Sequence, residues 1–452
     1  MIFAEQALLG QDWVSDVRLG ITNGRISSLE TGASAQPGDT RVKALLPALS
    51  NLHSHSFQRA MAGLTERRAA GRDSFWTWRD LMYRFMDHLA PDDIETIAAL
   101  AFMEMQEAGF AAVGEFHYVH HQPGGQAYDN IAELSERIFA AAALTGIGLT
   151  HLPVLYSYGG AGMQPLAQGQ RRFGNDVERF ADLVSKAQTG LTVLPHDAAL
   201  GIAPHSLRAT CPDDLRALLA MNLPGPRHIH IAEQPKEVAD VRAWLGARPV
   251  EWALDNLPLG PDWCLIHATH MTPDETARLA ATGAVAGLCP VTEANLGDGP
   301  FNGPGWLAAA GAFGVGSDSN VRISMVEELR TLEYSQRLRD MERNVLVAGE
   351  GSVGHHLYTA AAKGGAQALG RQAGEIALGL WADLLAIDTD HPTLCPLPPD
   401  RWLDGLTFAA GQSALTDLWS AGRHQVQQGR HRQRDGILVR WRGLAQRLRA
   451  VM

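Results

Sequence analysis

Polar and apolar residues alternate through residues 1–45, most clearly in DWVSDVRLGITNGRISSL, where Asn23-Gly24 separates two runs. Alternation at a period of two predicts half-buried strands, and an Asn-Gly pair between two such runs predicts a tight hairpin. A small antiparallel unit buries little by itself, so it has to pack against something else. Near the other end, GLWADLLAIDTDHP (379–392) and DGILVRW (435–441) also read as strands, which predicts that the carboxy-terminal segment completes the same sheet.

Between these ends the rhythm changes. An apolar run leads up to His53, and seven more follow: AAVGEFHYVH (111–120), IGLTHLPVLY (147–156), AALGIAPHS (198–206), RHIHIAEQ (227–234), CLIHATH (264–270), AVAGLCP (284–290) and AFGVGSDS (312–319). They alternate with helical stretches such as PDDIETIAALAFMEMQEAG (91–109) and TPDETARLAATG (272–283). In the second of these, Thr272 is placed as an N-cap, with Pro273 opening the helix and Glu275 three residues after the cap. Eight strand candidates alternating with helices fit an α/β fold, a (β/α)8 TIM-type barrel, better than an open α/β sheet. The expected organisation is a first part of a small β domain at 1–45 and a catalytic barrel at 46–365. Residues 366–452 then supply the second part of the β domain, composite and sandwich-like, with a terminal helix.

The reactive residues fall at the ends of those runs. His53 and His55 close the first, Tyr118 the second, His205 the fourth, His230 and Glu233 the fifth, His267 the sixth and Asp318 the eighth. In a barrel these ends share one rim, where active sites form. An i,i+2 pair of histidines on a strand points to one side. Alone, such a pair often bonds only to backbone. Joined to HIHIAE and GVGSDS, it becomes a candidate metal site of His53, His55, His230 and Asp318, a donor set suited to zinc or another borderline divalent ion. His228 competes with His230, and the Glu233 that follows favours His230. Glu233 is then a candidate proton carrier and His267 a group that holds water or stabilises charge, against the plainer readings of a solvated carboxylate and a polar strand cap.

Composition narrows the classes. The 452 residues carry a net charge of -11, which argues against a nucleic-acid partner, so anion recognition has to be local. Arg208 lies just past a strand end and Arg79 in the aromatic-rich SFWTWRDLMYRF; arginine clamps carboxylates, and Tyr118 can add a hydroxyl. A surface ion pair with Asp80 or Asp87 is the competing reading for Arg79. The basic stretch GRHQVQQGRHRQR (422–434) reads as solvated surface. Cys211, Cys264, Cys289 and Cys395 show no paired spacing, MIFAEQALLG lacks the character of a secretory leader, and no run is long enough to span a membrane. The expectation is a cytoplasmic protein with reduced thiols and, from its size alone, a homodimer.

The combination LHSHSF, HIHIAE, CLIHATH and GVGSDS, bracketed by split strand-rich ends, resembles the amidohydrolase superfamily, in its mononuclear aminohydrolase branch. Within that branch, NLHSHSFQRAMAGLTERR, DSFWTWRDLMYRF, EFHYVHH and GIAPHSLRA resemble the formimidoylglutamate deiminase family. The resemblance implies one Zn2+ per chain, held by His53, His55, His230 and Asp318, with Glu233, His267 and Asp318 at the chemistry. It also implies a dicarboxylate pocket of Gln58, Arg79, Tyr118, His205 and Arg208. Related two-metal sites use a carboxylated lysine at the fourth strand, and AALGIAPHS has none. One departure is Pro47-Ala48, where the family has Pro-Gly. The alternatives left open are a purine, pyrimidine or triazine aminohydrolase and, from a different class, a zinc-bearing barrel that only binds or scaffolds.

Overall fold

The first three barrel strands, β1 (Leu49–Ser54), β2 (Phe110–His117) and β3 (Gly148–Leu155), are buried along their whole lengths. Unbroken burial is what parallel strands covered on both faces require, and it is why these runs carry little polar alternation. β4 comes in two short pieces, Ala199–Leu200 and Ala203–Pro204. β5 (Arg227–Ile231), β6 (Trp263–His267), β7 (Val285–Leu288) and β8 (Ala312–Val315) follow. The computed structural model describes residues 1–67 and 74–450.

Neighbouring strands pair in parallel from β1 to β4 and from β5 to β8. Two seams join the sets. Ile202–Arg227 and Ser206–His230 bridge β4 to β5, and Ser54–Asp318 bridges β8 to β1. All eight expected strands are therefore present, and the ring closes as a TIM-type barrel. Thr272 caps the helix Pro273–Ala281 as its spacing predicts: its hydroxyl accepts from Glu275 N–H at 3.2 Å, and Glu275 accepts from Thr272 N–H at 2.6 Å.

Both chain ends build one eight-stranded sheet. From one edge to the other its strands are 430–431, 423–427, 415–420, 384–387, 40–47, 2–9, 12–22 and 25–30. The halves meet where 384–387 runs antiparallel to 40–47. Asn23 (φ +51°) and Gly24 (φ +79°) turn the hairpin with the positive angles a type I′ turn needs. Ile2, Val17, Leu19, Leu45, Leu384 and Trp419 give this sheet an apolar cluster of its own. A buried ion-pair network ties segments together: Arg371 holds Asp383 at 2.6 Å and Asp197 at 3.0 Å, and Arg423 also reaches Asp197 at 2.7 Å.

Two expectations meet the structure differently. DGILVRW is not a strand; it opens the helix Arg434–Arg449, whose buried Ile437, Leu444 and Leu448 recur at helical rather than alternating spacing. The basic stretch 422–434 is solvated only in part, with residues 427–430 and Arg432 exposed. It holds two strands of the small sheet, Arg423 pairs with Asp197, and Arg434 pairs with Glu107. Ala48 needs no glycine, because its φ is not positive and its N–H simply donates to Asp383 O at 2.9 Å. No helix among the described residues is long and apolar enough to cross a membrane.

Candidate active site at the barrel rim

The seam between β8 and β1 sets the geometry of the site. Asp318 N–H donates to His53 O and His55 N–H donates to Asp318 O, both at 2.9 Å. Gly316 makes this approach possible, since a Cβ there would lie 2.7 Å from His53 N. Asn320 secures the turn, its amide donating to Ser54 Oγ, His55 O and Asp318 O, each at 3.1 Å. Asp318, with φ +44°, and His267, with φ +68°, adopt left-handed backbone where the strands end, a strain that accumulates at functional sites.

The ligand-type atoms of His53, His55, His230 and Asp318 all lie within 4.8 Å of one another, and all four residues are buried. His55 Nε2 is 3.3 Å and His53 Nε2 3.5 Å from Asp318 Oδ1, and His53 Nε2 is 3.1 Å from His230 Nε2. His55 Nδ1 donates to Phe116 O at 2.9 Å and His230 Nδ1 to His205 O at 3.1 Å, which leaves each Nε2 lone pair facing inward. Burial holds the three rings neutral, His53 down at about 3 and His55 and His230 below the usual imidazole range. Burial alone would raise the Asp318 carboxyl, but the neighbouring His53 and His55 keep it well below the usual range. Neutral imidazoles with inward lone pairs beside an ionised carboxylate are the state in which these residues can hold a divalent cation.

Around that cluster sit the proton-transfer candidates. His267 Nε2 lies 3.6 Å from Glu233 Oε1 and 4.0 Å from Asp318 Oδ2, and its Nδ1 is 3.2 Å from Glu293 Oε1. Burial disfavours charge on His267, yet Glu233, Glu293 and Asp318 outweigh it and raise the ring to about 10. Glu233 follows Ala232, which has φ +50°, and the N–H groups of Ala232 and Glu233 donate to Glu237 at 3.1 and 3.0 Å. The first turn of the helix Pro235–Leu245 thus fixes where Glu233 points.

A cavity of about 330 Å³ opens over this centre. His55, Gln58, Arg79, Tyr118, His205, Arg208, His230, Glu233 and Asp318 all line it, while His53 and His267 lie deeper. Gln58 donates to Tyr118 Oη at 2.8 Å, and its own Oε1 is buried without a partner. His205 Nδ1 meets Ser206 Oγ at 2.9 Å. Arg79 stacks on Trp76, 4.6 Å from the ring centre, and on Tyr83 at 5.6 Å, and its buried Nε has no hydrogen-bond partner. Among the described residues no carboxylate lies within ion-pair range of Arg79, so the expected alternative with Asp80 or Asp87 does not form. Arg208 is not free in the same way. Its Nη2 donates to Glu233 Oε2 at 2.9 Å, and its Nε lies 3.7 Å from Glu237.

Sequence reasoning missed Glu237, Glu293 and Asn320, which touch the candidate residues directly. Glu237 and Glu293 sit in the first turn of short helices opened by Pro235 and Pro290, each just past a strand end. Proline at N1 with a glutamate two or three residues on was the available signal, and it reads first as helix capping. The aromatic cavity wall of Tyr83, Tyr156 and Phe173 comes from three separate segments.

Comparison with known proteins adds to this geometry. The amidohydrolase family profile matches residues 44–424, and the profile of the amino-terminal domain of formimidoylglutamate deiminase HutF matches residues 1–43. A formimidoylglutamate deiminase of Pseudomonas aeruginosa is 49% identical over 433 residues, 95% of either chain. A 5-methylthioadenosine/S-adenosylhomocysteine deaminase of Bacillus cereus is 26% identical over 86% of this chain and 83% of its own. Among solved structures, an amidohydrolase from Brucella melitensis superposes with a TM-score of 0.95 at 48% identity, covering 99% of both chains. A zinc-bound adenosine deaminase from Xanthomonas campestris shares the fold, with a TM-score of 0.82 at 21% identity over 99% of this chain and 98% of its own. With its barrel, its rim cluster and these matches over nearly its whole length, the chain belongs to the amidohydrolase family.

Proposed function

We propose that this protein hydrolyses N-formimidoyl-L-glutamate to N-formyl-L-glutamate and ammonia, with one zinc ion held by His53, His55, His230 and Asp318. The observation that carries the reading is an aminohydrolase-type centre at the floor of a cavity that also presents Arg79 and Arg208. The Pseudomonas relative bears the name of that activity, and its 49% identity supports carrying it over. Three nitrogens and a carboxylate suit zinc, and no lysine stands at the end of β4 to bridge a second ion.

A divalent cation bound there supplies Lewis acidity that makes water nucleophilic near neutral pH. Glu233 takes a proton from the attacking water and passes it to the amidine nitrogen, then takes the remaining proton from the carbon-bound hydroxyl and delivers it to the same nitrogen, so that ammonia leaves and the formyl amide remains. His267, held between Glu233, Glu293 and Asp318, donates toward the charge that develops on the tetrahedral carbon's oxygen. Arg79 and Arg208 take the two carboxylates of the glutamate, helped by Tyr118, Gln58 and His205. Binding energy far from the reacting carbon then places the formimidoyl group. The unpaired thiols support a reducing compartment, the cytoplasm.

The aromatic lining by Trp76, Tyr83, Tyr156 and Phe173 favours a second reading, a planar purine or pyrimidine ring stacked in the cavity. Arg79 argues against it: the residue is half-buried, its Nε is enclosed, and no carboxylate among the described residues lies in ion-pair range, so a neutral ring leaves that charge unpaired. The test is ammonia release after chelation, with and without Zn2+ restored. Release from N-formimidoyl-L-glutamate that depends on the ion supports the proposal, and its absence refutes it.

A further inference from the structure

Arg208 is committed to the wrong partner for a simple carboxylate clamp. Its Nη2 donates to Glu233 Oε2 at 2.9 Å, while Glu233 Oε1 faces His267 Nε2 at 3.6 Å. The guanidinium is buried, lies over Phe75 at 5.8 Å and lines the cavity. Glu237 stands beside it, 3.7 Å from its Nε, but Glu237 already accepts the N–H groups of Ala232 and Glu233, and Arg208 Nε has no hydrogen bond. One cation thus faces two carboxylates and satisfies one of them through a single hydrogen bond.

We propose that Arg208 is a specificity-determining positioning residue that holds Glu233 back until a carboxylate-bearing substrate arrives. The inference rests on the reading of the site as a deiminase of an anionic substrate. A substrate carboxylate offers the guanidinium two oxygens in the geometry it prefers, where Glu233 offers one. As the incoming carboxylate takes the Arg208 fork, Glu233 Oε2 is released, and Glu233 turns to the water and the leaving nitrogen. Glu237 stays anchored by two backbone N–H groups and keeps the turn in place during the exchange. An amidine without a carboxylate leaves Glu233 paired and is hydrolysed slowly even when it reaches the centre. Selection therefore operates on proton transfer as well as on binding.

The experiment divides the substrate in two. Formamidine carries the reacting group alone, and glutarate carries the two carboxylates alone. For the wild-type holoenzyme, glutarate accelerates formamidine hydrolysis by at least about fivefold, the low end of coupling between two ligands linked through one group. Pentane-1,5-diol, the uncharged analogue, does not. In Arg208→Gln the formamidine rate without glutarate exceeds that of wild type, and glutarate no longer changes it. Inhibition by glutarate, no response, no detectable formamidine hydrolysis, or a lower unassisted rate in Arg208→Gln overturns the inference. N-formimidoyl-L-glutamate is assayed alongside. Its turnover without glutarate activation of formamidine rejects the gating alone, and no turnover rejects the function reading as well. The activation is read on wild type, so a variant that fails to fold leaves the test intact.

Discussion

Asp318 and His55 face each other twice across the closing seam of the barrel: His55 N–H donates to Asp318 O at 2.9 Å, and His55 Nε2 lies 3.3 Å from Asp318 Oδ1. Strand pairing and the candidate ligand geometry are therefore one structural feature. Gly316 permits it, because a Cβ would meet His53 N at 2.7 Å and His53 O at 2.8 Å. Gly316→Ala should destabilise the protein by about 1–3 kcal/mol, as overpacking does, and lower its retained metal. Urea unfolding with and without chelator separates the two effects. Unchanged metal affinity and unchanged midpoint would show that the seam does not set the site.

Glu233→Gln keeps the side-chain shape and removes the carboxylate proposed to carry the proton. Activity should fall by at least about 10²-fold while the metal content stays at the wild-type value. Full activity in this variant would reject the assignment of Glu233.

The barrel rim was legible from sequence because a strand that enters a rim shows its last residues as polar interruptions of an apolar run. His53, His55, His230, His267 and Asp318 all stand out in this way. Glu237 and Glu293 did not, since each lies inside a helix where a glutamate has an ordinary capping use. DGILVRW misled because Ile437, Leu438 and Val439 are β-formers in a short window, and only the later Leu444 and Leu448 reveal the helical repeat. The pairing of Arg208 with Glu233 joins residues 25 apart in sequence through three-dimensional contact, and no local pattern records it.

The Asp197 network predicts a pH signature in stability. Burial pushes the Asp197 carboxyl up, but Arg423 and Arg371 prevail and hold it below its ordinary 3.8. A depressed carboxylate contributes stability that is fully present above its unfolded pKa and is lost as pH falls through the folded one. Asp197→Asn should cost about 3 kcal/mol near neutrality, the low end for breaking a buried pair, since Arg371 keeps Asp383. The gap between wild type and variant in urea midpoint should narrow below about pH 4. A gap that stays constant down to acid unfolding would show that the pairs contribute little.

Metal analysis of protein dialysed against metal-free buffer should give one divalent ion per chain. Removing it with a chelator should abolish activity, and Zn2+ should restore it. A reproducible stoichiometry of two would contradict the single site of His53, His55, His230 and Asp318.

The central claim is that a zinc aminohydrolase centre is joined here to a dicarboxylate pocket. The measurement that tests it most directly is kcat/KM for N-formimidoyl-L-glutamate beside N-formimidoyl-glycine, adenosine and guanine, on wild type and on Arg79→Met. The account predicts that N-formimidoyl-L-glutamate is preferred by a wide margin. It also predicts that Arg79→Met lowers its kcat/KM by at least about 10-fold, less than the roughly 30-fold (about 2 kcal/mol) lower bound for truncating one side of a fully desolvated charge pair because Arg79 is half-buried, with little effect on the other three. A wild-type preference for a purine, or an equal loss on all four compounds, would contradict it.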